Sequence, residues 1–403
     1  MAEATYIGNG DEDAEVVPLR PRPASTGLDA IIVGGGAIGL ACAWQAARAG
    51  ARVRVIERDR PGSGASGVAA GMLAPVGEAT WGEEDLLRLA LTSARRWPAF
   101  AAAIEADAEA DLSYVESGAL HVALDRDEAE ALDRRHELMR SLGLDARRLT
   151  PTEARDLEPG LAPAVAGAVE APGEASVDPR ALVAALVAAF DARGGELVTE
   201  AEVTEPIVEG DRLVGVRTDD GTEHRAPHVV LAAGCWSGAL GWLRGDARPP
   251  VRPVKGQVVT LRGSVSDPIC SRMVASERVY IVPRDDGRVI VGATVEEQGF
   301  DLRVTAGGVY ELLREAYRAL PDIVELELEE TIAGMRPGTP DNAPLIGRGA
   351  MKGLLLATGH YRNGILLAPV TAESIASLIA GDEPDFDLGA FDPTRFATVE
   401  AGG

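Results

Sequence analysis

The stretch Ile31–Arg58, IIVGGGAIGLACAWQAARAGARVRVIER, reads as strand, tight turn, helix and strand. Ile31, Ile32 and Val33 are apolar and β-branched, which suits a buried parallel strand. Three glycines follow, then an alanine-rich run to Ala49 that Gly50 closes in the manner of a helix C-terminal glycine. Strand character resumes from Arg52 to Ile56. Gly34, Gly36 and Gly39 form G-x-G-x-x-G at the strand–helix junction. The first glycine permits the turn, the second lets the backbone approach a pyrophosphate, and the third lets helix pack on strand. The helix start then offers free N–H groups to the anion. Glu57 lies 23 positions beyond Gly34, where a ribose-binding carboxylate is expected. The spacing predicts a dinucleotide site in an α/β fold. Glu57 argues against a 2′-phosphate, and the unit by itself leaves FAD and NAD open.

Composition narrows the class. The 403 residues suffice for two or three domains, and 46% hydrophobic content indicates a globular chain. The longest apolar run, Ala181 to Phe190, is far shorter than the roughly 20 residues that span a bilayer. The acidic N-terminus reads as lacking a signal peptide. A formal net charge of −24 opposes nucleic acid and anionic membranes as partners. Cys42, Cys235 and Cys270 are far apart and make no disulfide or metal pattern, which fits a reducing cytoplasm. His224 and His228 are four apart but in a strand-like stretch, so no metal site is expected. Only Lys255 and Lys352 are lysines, a bias that reflects base composition.

Residues 1–27 hold an acidic cluster and a Pro/Arg stretch without periodicity and read as a disordered tail. The small residues of GSGASG, from Gly62, let backbone run against a flat ligand. Helical patterns cover Glu83–Ala106 and Asp127–Leu142. Asp178-Pro179 opens a helix as N-cap and first residue, running to Phe190 and ended by Gly194-Gly195. Three β-runs follow, Val203–Val208, Leu213–Thr218 and Thr222–Arg225, then the buried strand Val229–Leu231. Val258–Arg262, Val279–Pro283 and Val289–Ala293 are further strands, followed by a helix from Ala306 to Leu320. The chain closes with a strand at Leu354–Ala357, the loop GHYRNG, and a helix from Ile365 to Ala380 ended by Gly381. There is no internal repeat.

Five segments together resemble the D-amino-acid oxidase family of FAD-dependent amine oxidases, and within it the glycine oxidases of bacterial thiamine biosynthesis. They are IIVGGGAIG, SGVAAGMLAP, VVLAAGCWSG, YIVPRDDGRVIVGAT, and AGMRPGTPDNAPLIG with GHYRNGILLAP. The resemblance spans Asp29 to Gly381. It implies an FAD-binding Rossmann-like domain (28–80, 145–240 and 335–382) interleaved with an antiparallel-sheet α+β substrate domain (81–144 and 241–334), with a C-terminal tail at 383–403. It implies noncovalent FAD, since no cysteine stands where a covalent link could form. Ala37 and Ile38 would lie along the pyrophosphate, and Glu57 at the ribose with Arg58 beside it. Ala65, Ser66, Ala70, Gly71 and Met72 would lie against phosphates and flavin, with Gly234 joining them and Val203 at the adenine end. His360, Tyr361, Arg362, Asn363, Gly364, Ile365 and Leu366 would wrap the isoalloxazine. The helix beginning near Gly364–Ile365 would aim its positive end at the reduced ring.

For the substrate, the resemblance implies that Arg336 in GMRPG binds a carboxylate and that Tyr280 in VYIVPR assists. A guanidinium fork holds a carboxylate bidentately and a phenol adds one hydrogen bond. Arg362 is a second cation candidate, for substrate or flavin. Two positions depart from the family: Ala275 or its neighbours stand where some relatives carry another tyrosine, and Val295 where a methionine can occur. Both are expected to reshape the substrate pocket. The implied reaction is oxidative deamination of glycine, sarcosine or small D-amino acids, with oxygen as second substrate and hydrogen peroxide released. Rival readings are a flavin D-amino-acid dehydrogenase, a sarcosine or D-proline oxidase, and a non-catalytic flavin-binding protein. A homo-oligomer stays open.

Overall fold

The computed structural model describes residues 27–243 and 245–397. The tail expected over residues 1–27 therefore lies, Gly27 apart, outside the described residues. The strand of the glycine motif, Ala30–Val33, is buried along its whole length. It sits between two parallel neighbours, His228–Leu231 and Val53–Ile56, so both of its edges are hydrogen-bonded. The sheet has six strands in the order Leu345–Arg348, Leu354–Thr358, His228–Leu231, Ala30–Val33, Val53–Ile56, Glu196–Val198; all pairings but the first are parallel. Side chains alternate along it. Ala30 and Ile32 face a core shared with helices Ala37–Arg48, Pro179–Ala192 and Ala368–Ala380, while Ile31 and Val33 face the three-stranded meander at Leu213 and Val216.

A second sheet has eight strands, in the order Glu327–Gly338, Arg252–Arg262, Arg288–Gly292, Tyr280–Pro283, Met273–Ala275, Ala119–Ala123, Gly167–Ala171, Arg147–Leu149. It is antiparallel except where Met273–Ala275 meets Ala119–Ala123. Its alternation positions the site. Val259 and Leu261 pack under the helix Ala306–Ala319, whereas Val258 joins Ala70 and Tyr280 on the opposite face. The fold is thus the expected α/β architecture of a parallel sheet interleaved with a largely antiparallel one.

Three expected segment assignments differ. Arg147–Leu149 and Gly167–Ala171, placed by the sequence with the nucleotide-binding part, belong to the eight-stranded sheet, because each pairs with a strand of that sheet. The strand Glu327–Gly338 carries that sheet past the expected boundary at 335. Residues 383–397, expected as a tail, are docked: Phe391 is buried, and Arg395 pairs with Asp341 and donates to the Ala343 carbonyl.

Helix starts follow their caps. The Asp178 side chain accepts from the N–H groups of Arg180 and Ala181, with Pro179 at the first position. The last helix begins at Ala368, three residues later than the apolar run suggests. Pro369 sits in its first turn, where a missing N–H costs nothing, and residues 364–367 form turns instead.

At Gly39 a methyl group would run into the backbone carbonyl of Gly34, which cannot yield. Helix propensity alone favours alanine there by about 1 kcal/mol. The contact reverses the sign: Gly39→Ala is expected to lower stability by about 1–3 kcal/mol in denaturant melts. Gly173→Ala, where a methyl meets nothing within 4 Å, serves as control. A stabilised Gly39→Ala would refute the argument.

Candidate active site

One cavity of about 290 Å³ runs from the glycine motif to Arg336. Its nucleotide end is built from backbone. Gly34 has φ +114°, and the Ala232 carbonyl fills the place of a side chain. Gly36 precedes the first helix without a side-chain cap, and the Ala37 N–H donates to Ser66 Oγ at 3.0 Å. Glu57 is fixed by two N–H donors, Gly35 to Oε2 at 2.6 Å and Asp59 to Oε1 at 2.9 Å. The Arg58 guanidinium lies 4.6 Å from the Trp236 ring centroid, and Trp236 stacks on Phe300. Ala65, Ser66, Ala70, Gly71, Met72, Val203 and Gly234 line the same cavity.

The loop from His360 holds the far wall. Tyr361 has φ +48°, a conformation that costs a non-glycine residue of order 1–3 kcal/mol, and its N–H donates to the Pro337 carbonyl at 3.0 Å. Among the described residues, no protein acceptor faces the amides of Gly364, Ile365 and Leu366. The expected positive helix end is therefore a turn of free amides placed before the helix. His360 is buried and contacts Thr371 Oγ1 at 3.0 Å. Burial pushes its pKa down to about 3, so the ring is neutral near pH 7.

The Arg336 end of the cavity is made possible by two glycines. Tyr280 lies across Gly292, its partner on the neighbouring strand. The Arg336 guanidinium lies across Gly256. Any side chain at either position would occupy the space of the ring or the fork. Arg336 Nη1 donates to the carbonyls of Thr294 (3.1 Å) and Lys255 (3.4 Å). Among the described residues it has no carboxylate partner. Burial pushes the Tyr280 hydroxyl above the usual phenol range, against the opposing pull of Arg336, so it is a neutral donor. Arg362 Nε is 3.6 Å from Glu78 Oε2, and its guanidinium lies over the Tyr361 ring.

The cavity thus brings together Gly34, Gly36, Ala37, Ile38, Glu57, Arg58, Tyr280, Arg336 and His360 to Ile365 from the residues singled out in the sequence. Two predicted residues stand behind it. Gly39 packs helix on strand, its expected function. Leu366 is a correction: its side chain is in the core, and its carbonyl accepts from Ser93 Oγ at 2.7 Å and Trp97 Nε1 at 2.9 Å. Val295 is 62% exposed and, like Ala275, does not line the cavity, so neither reshapes it directly. Sequence reasoning missed Glu78, Trp236, Gly256 and the Thr294 carbonyl. Gly256, the one glycine in the strand-like run VKGQVV, carried the signal of a close approach within a strand.

Free amides at a helix start, a glycine floor and a second turn of free amides fit a pyrophosphate and a flat conjugated ring. The model of the FAD dependent oxidoreductase family (DAO) matches residues 29–378. The chain belongs to this family. Its cofactor is FAD, and it is an FAD-dependent oxidoreductase acting on amines or amino acids. The glycine oxidase of Geobacillus kaustophilus (strain HTA426) is 39% identical over 370 residues, covering 91% of this chain and 97% of that protein. The crystal structure of glycine oxidase from Geobacillus kaustophilus superimposes with a TM-score of 0.85 at 37% identity, covering 93% of this chain and 99% of that one. The bifunctional protein ThiO/ThiG of Trichormus variabilis is 36% identical over 91% of this chain, which spans 55% of that longer protein. Among the described residues, no helix of this family member is long and apolar enough to cross a membrane. Cys42, Cys235 and Cys270 are buried and none lines the cavity; burial pushes all three thiols up, Cys235 to about 12.

The lowered His360 pKa has a sign. Between pH 6.5 and about 3 the unfolded chain binds a proton that the folded chain refuses, so His360 makes stability fall as pH falls. Denaturant midpoints at pH 7 and pH 5 should fall further in the wild type than in His360→Gln, by up to about 1.4 kcal/mol per pH unit. Parallel falls would refute it.

Proposed function

We propose that the chain oxidises small α-amino acids, with glycine as the preferred substrate, and that its product feeds thiamine thiazole synthesis. The observation that carries this is the pairing of an Arg336 guanidinium without a carboxylate partner and a neutral Tyr280 hydroxyl at one end of the cofactor cavity. A half-buried guanidinium that meets two carbonyls and the Tyr280 hydroxyl, and no carboxylate among the described residues, retains donors for an anion, and its fork fits a carboxylate. The likeness to glycine oxidases supports glycine as substrate, and the ThiO/ThiG relative supports the thiamine role.

Gly34, Gly36, Ala37, Ile38 and Ser66 would hold the pyrophosphate, Glu57 and Arg58 the ribose, and Val203 the adenine end. Ala65, Ala70, Gly71, Met72, Gly234 and the loop from His360 to Ile365 would enclose the flavin, without a cysteinyl bond, because no thiol lines the cavity. Bound FAD would supply two-electron redox chemistry between the substrate α-carbon and oxygen, so that glycine, oxygen and water would give glyoxylate, ammonia and hydrogen peroxide. The protein's part is orientation: Arg336 grips the carboxylate, Tyr280 donates to it, and the amine needs no side-chain base once neutral. Arg362, held by Glu78 at the cavity wall, closes the site with its charge already answered.

The purified, FAD-loaded protein should release peroxide from glycine in air at an efficiency equal to or above that from sarcosine, D-alanine and D-proline. Anaerobic bleaching of the flavin by glycine without peroxide in air would instead identify a dehydrogenase. Arg336→Gln should lower kcat/KM for glycine by about a hundredfold or more, since a charge-assisted bidentate contact is lost. Tyr280→Phe should cost about tenfold. Wild-type kcat/KM in Arg336→Gln would remove the carboxylate-anchor reading.

A further inference from the structure

The two carbonyls that hold Arg336 are themselves held from the other side of the sheet. Along Arg252–Arg262, Gly256 and Val258 face the cavity, so Lys255 and Gln257 face away, toward the helix Ala306–Ala319. Lys255 is 1% exposed and is one of only two lysines in the chain. Its Nζ lies 3.3 Å from Glu296 Oε2. Glu296 Oε1 accepts from Gln257 Nε2 at 2.7 Å and from Thr294 Oγ1 at 2.6 Å. Thr294 Oγ1 in turn accepts the Gln257 N–H at 2.8 Å. The Glu296 and Lys255 backbones exchange two hydrogen bonds of 2.9 Å each. Gln257 is locked at its far end, where its Oε1 accepts the Thr305 N–H at 2.8 Å at the start of the helix.

One carboxylate therefore ties Lys255 to Thr294, and their main-chain oxygens are the two acceptors that place Nη1 of Arg336. Burial pushes the Glu296 carboxyl up, but the bonds from Thr294, Gln257 and Lys255 outweigh it and hold it below its usual range. Removing the carboxylate from a buried lysine is strongly destabilising, so the loss of Glu296 bears on folding as well as on geometry.

We propose that Glu296, clasped by Lys255, Gln257 and Thr294 behind the sheet, is the positioning residue that sets the Arg336 guanidinium for a substrate carboxylate. It touches neither substrate nor cofactor. The proposal rests on the reading of Arg336 as carboxylate anchor. It concerns affinity for carboxylates and leaves the oxidation step alone.

The test uses the full-length, FAD-loaded protein, with acetate as the probe of the anchor. Acetate Kd is read from the flavin absorbance change, and KM and kcat from glycine oxidation. Glu296→Gln should raise acetate Kd and glycine KM together by about tenfold or more, with kcat at saturation within threefold and FAD content unchanged. Thr294→Val, which removes the hydroxyl without stranding a charge, should shift both in the same direction by a smaller factor, and Thr294→Ser should restore wild-type values. If Glu296→Gln does not fold, the Thr294 pair decides. Unchanged Kd and KM in Thr294→Val, or a fall in kcat with lost FAD in place of a KM effect, overturns the proposal. Arg336→Gln separates the two readings. If it weakens acetate and the network variants do not, only the positioning role fails; if it leaves acetate binding intact, the anchor itself is wrong.

Discussion

The first helix can press onto its strand only because no side chain separates them. Gly34 and Gly39 face the Ala232 backbone and each other at distances no Cβ permits. That contact fixes the helix start at the edge of the parallel sheet, with its unpaired N–H groups open to the cavity. It also aligns the His228–Leu231 strand, which leads into Gly234 and Trp236. The cofactor cavity is then the space left between this junction and the second sheet. A packing constraint at three backbone positions thus sets where the cavity lies.

The substrate end obeys the same logic with different chemistry. Gly256 and Gly292 remove side chains so that Arg336 and Tyr280 can lie flat on the eight-stranded sheet. The chain as a whole carries a net charge of −24, yet the cation here is left unneutralised by any described carboxylate. The two facts do not conflict. Surface charge is screened over roughly 8 Å at physiological ionic strength, while a guanidinium in a partly desolvated cavity acts at short range through directed donors. Global acidity governs what the molecule avoids, and the local arrangement governs what it holds.

Much of this was legible in the chain. The glycine motif, the Asp178-Pro179 helix start and the buried strand before Gly234 are local patterns whose meaning does not depend on distant residues. The start of the last helix was misread because Ile365, Leu366 and Leu367 suit a helix face as well as a core turn, and only Pro369 marks the real start. The clasp of Lys255, Gln257, Thr294 and Glu296 could not be read at all. It acts through main-chain oxygens, and it exists only once strands about 40 positions apart are in register. The carbonyl of Leu366, fastened by Ser93 and Trp97, is hidden for the same reason.

The three buried thiols bear on durability. In the oxidase reading, peroxide is formed inside this molecule at every turnover, and peroxide attacks the thiolate form of cysteine. Burial holds Cys42, Cys235 and Cys270 protonated and away from the cavity wall. Among the described residues, the sulfur-bearing side chains that line the cavity are Met72 and Met335. Their oxidation is reversible and needs no deprotonation. Wear of the catalyst by its own product would begin at the methionines of the cavity wall and leave the cysteines intact.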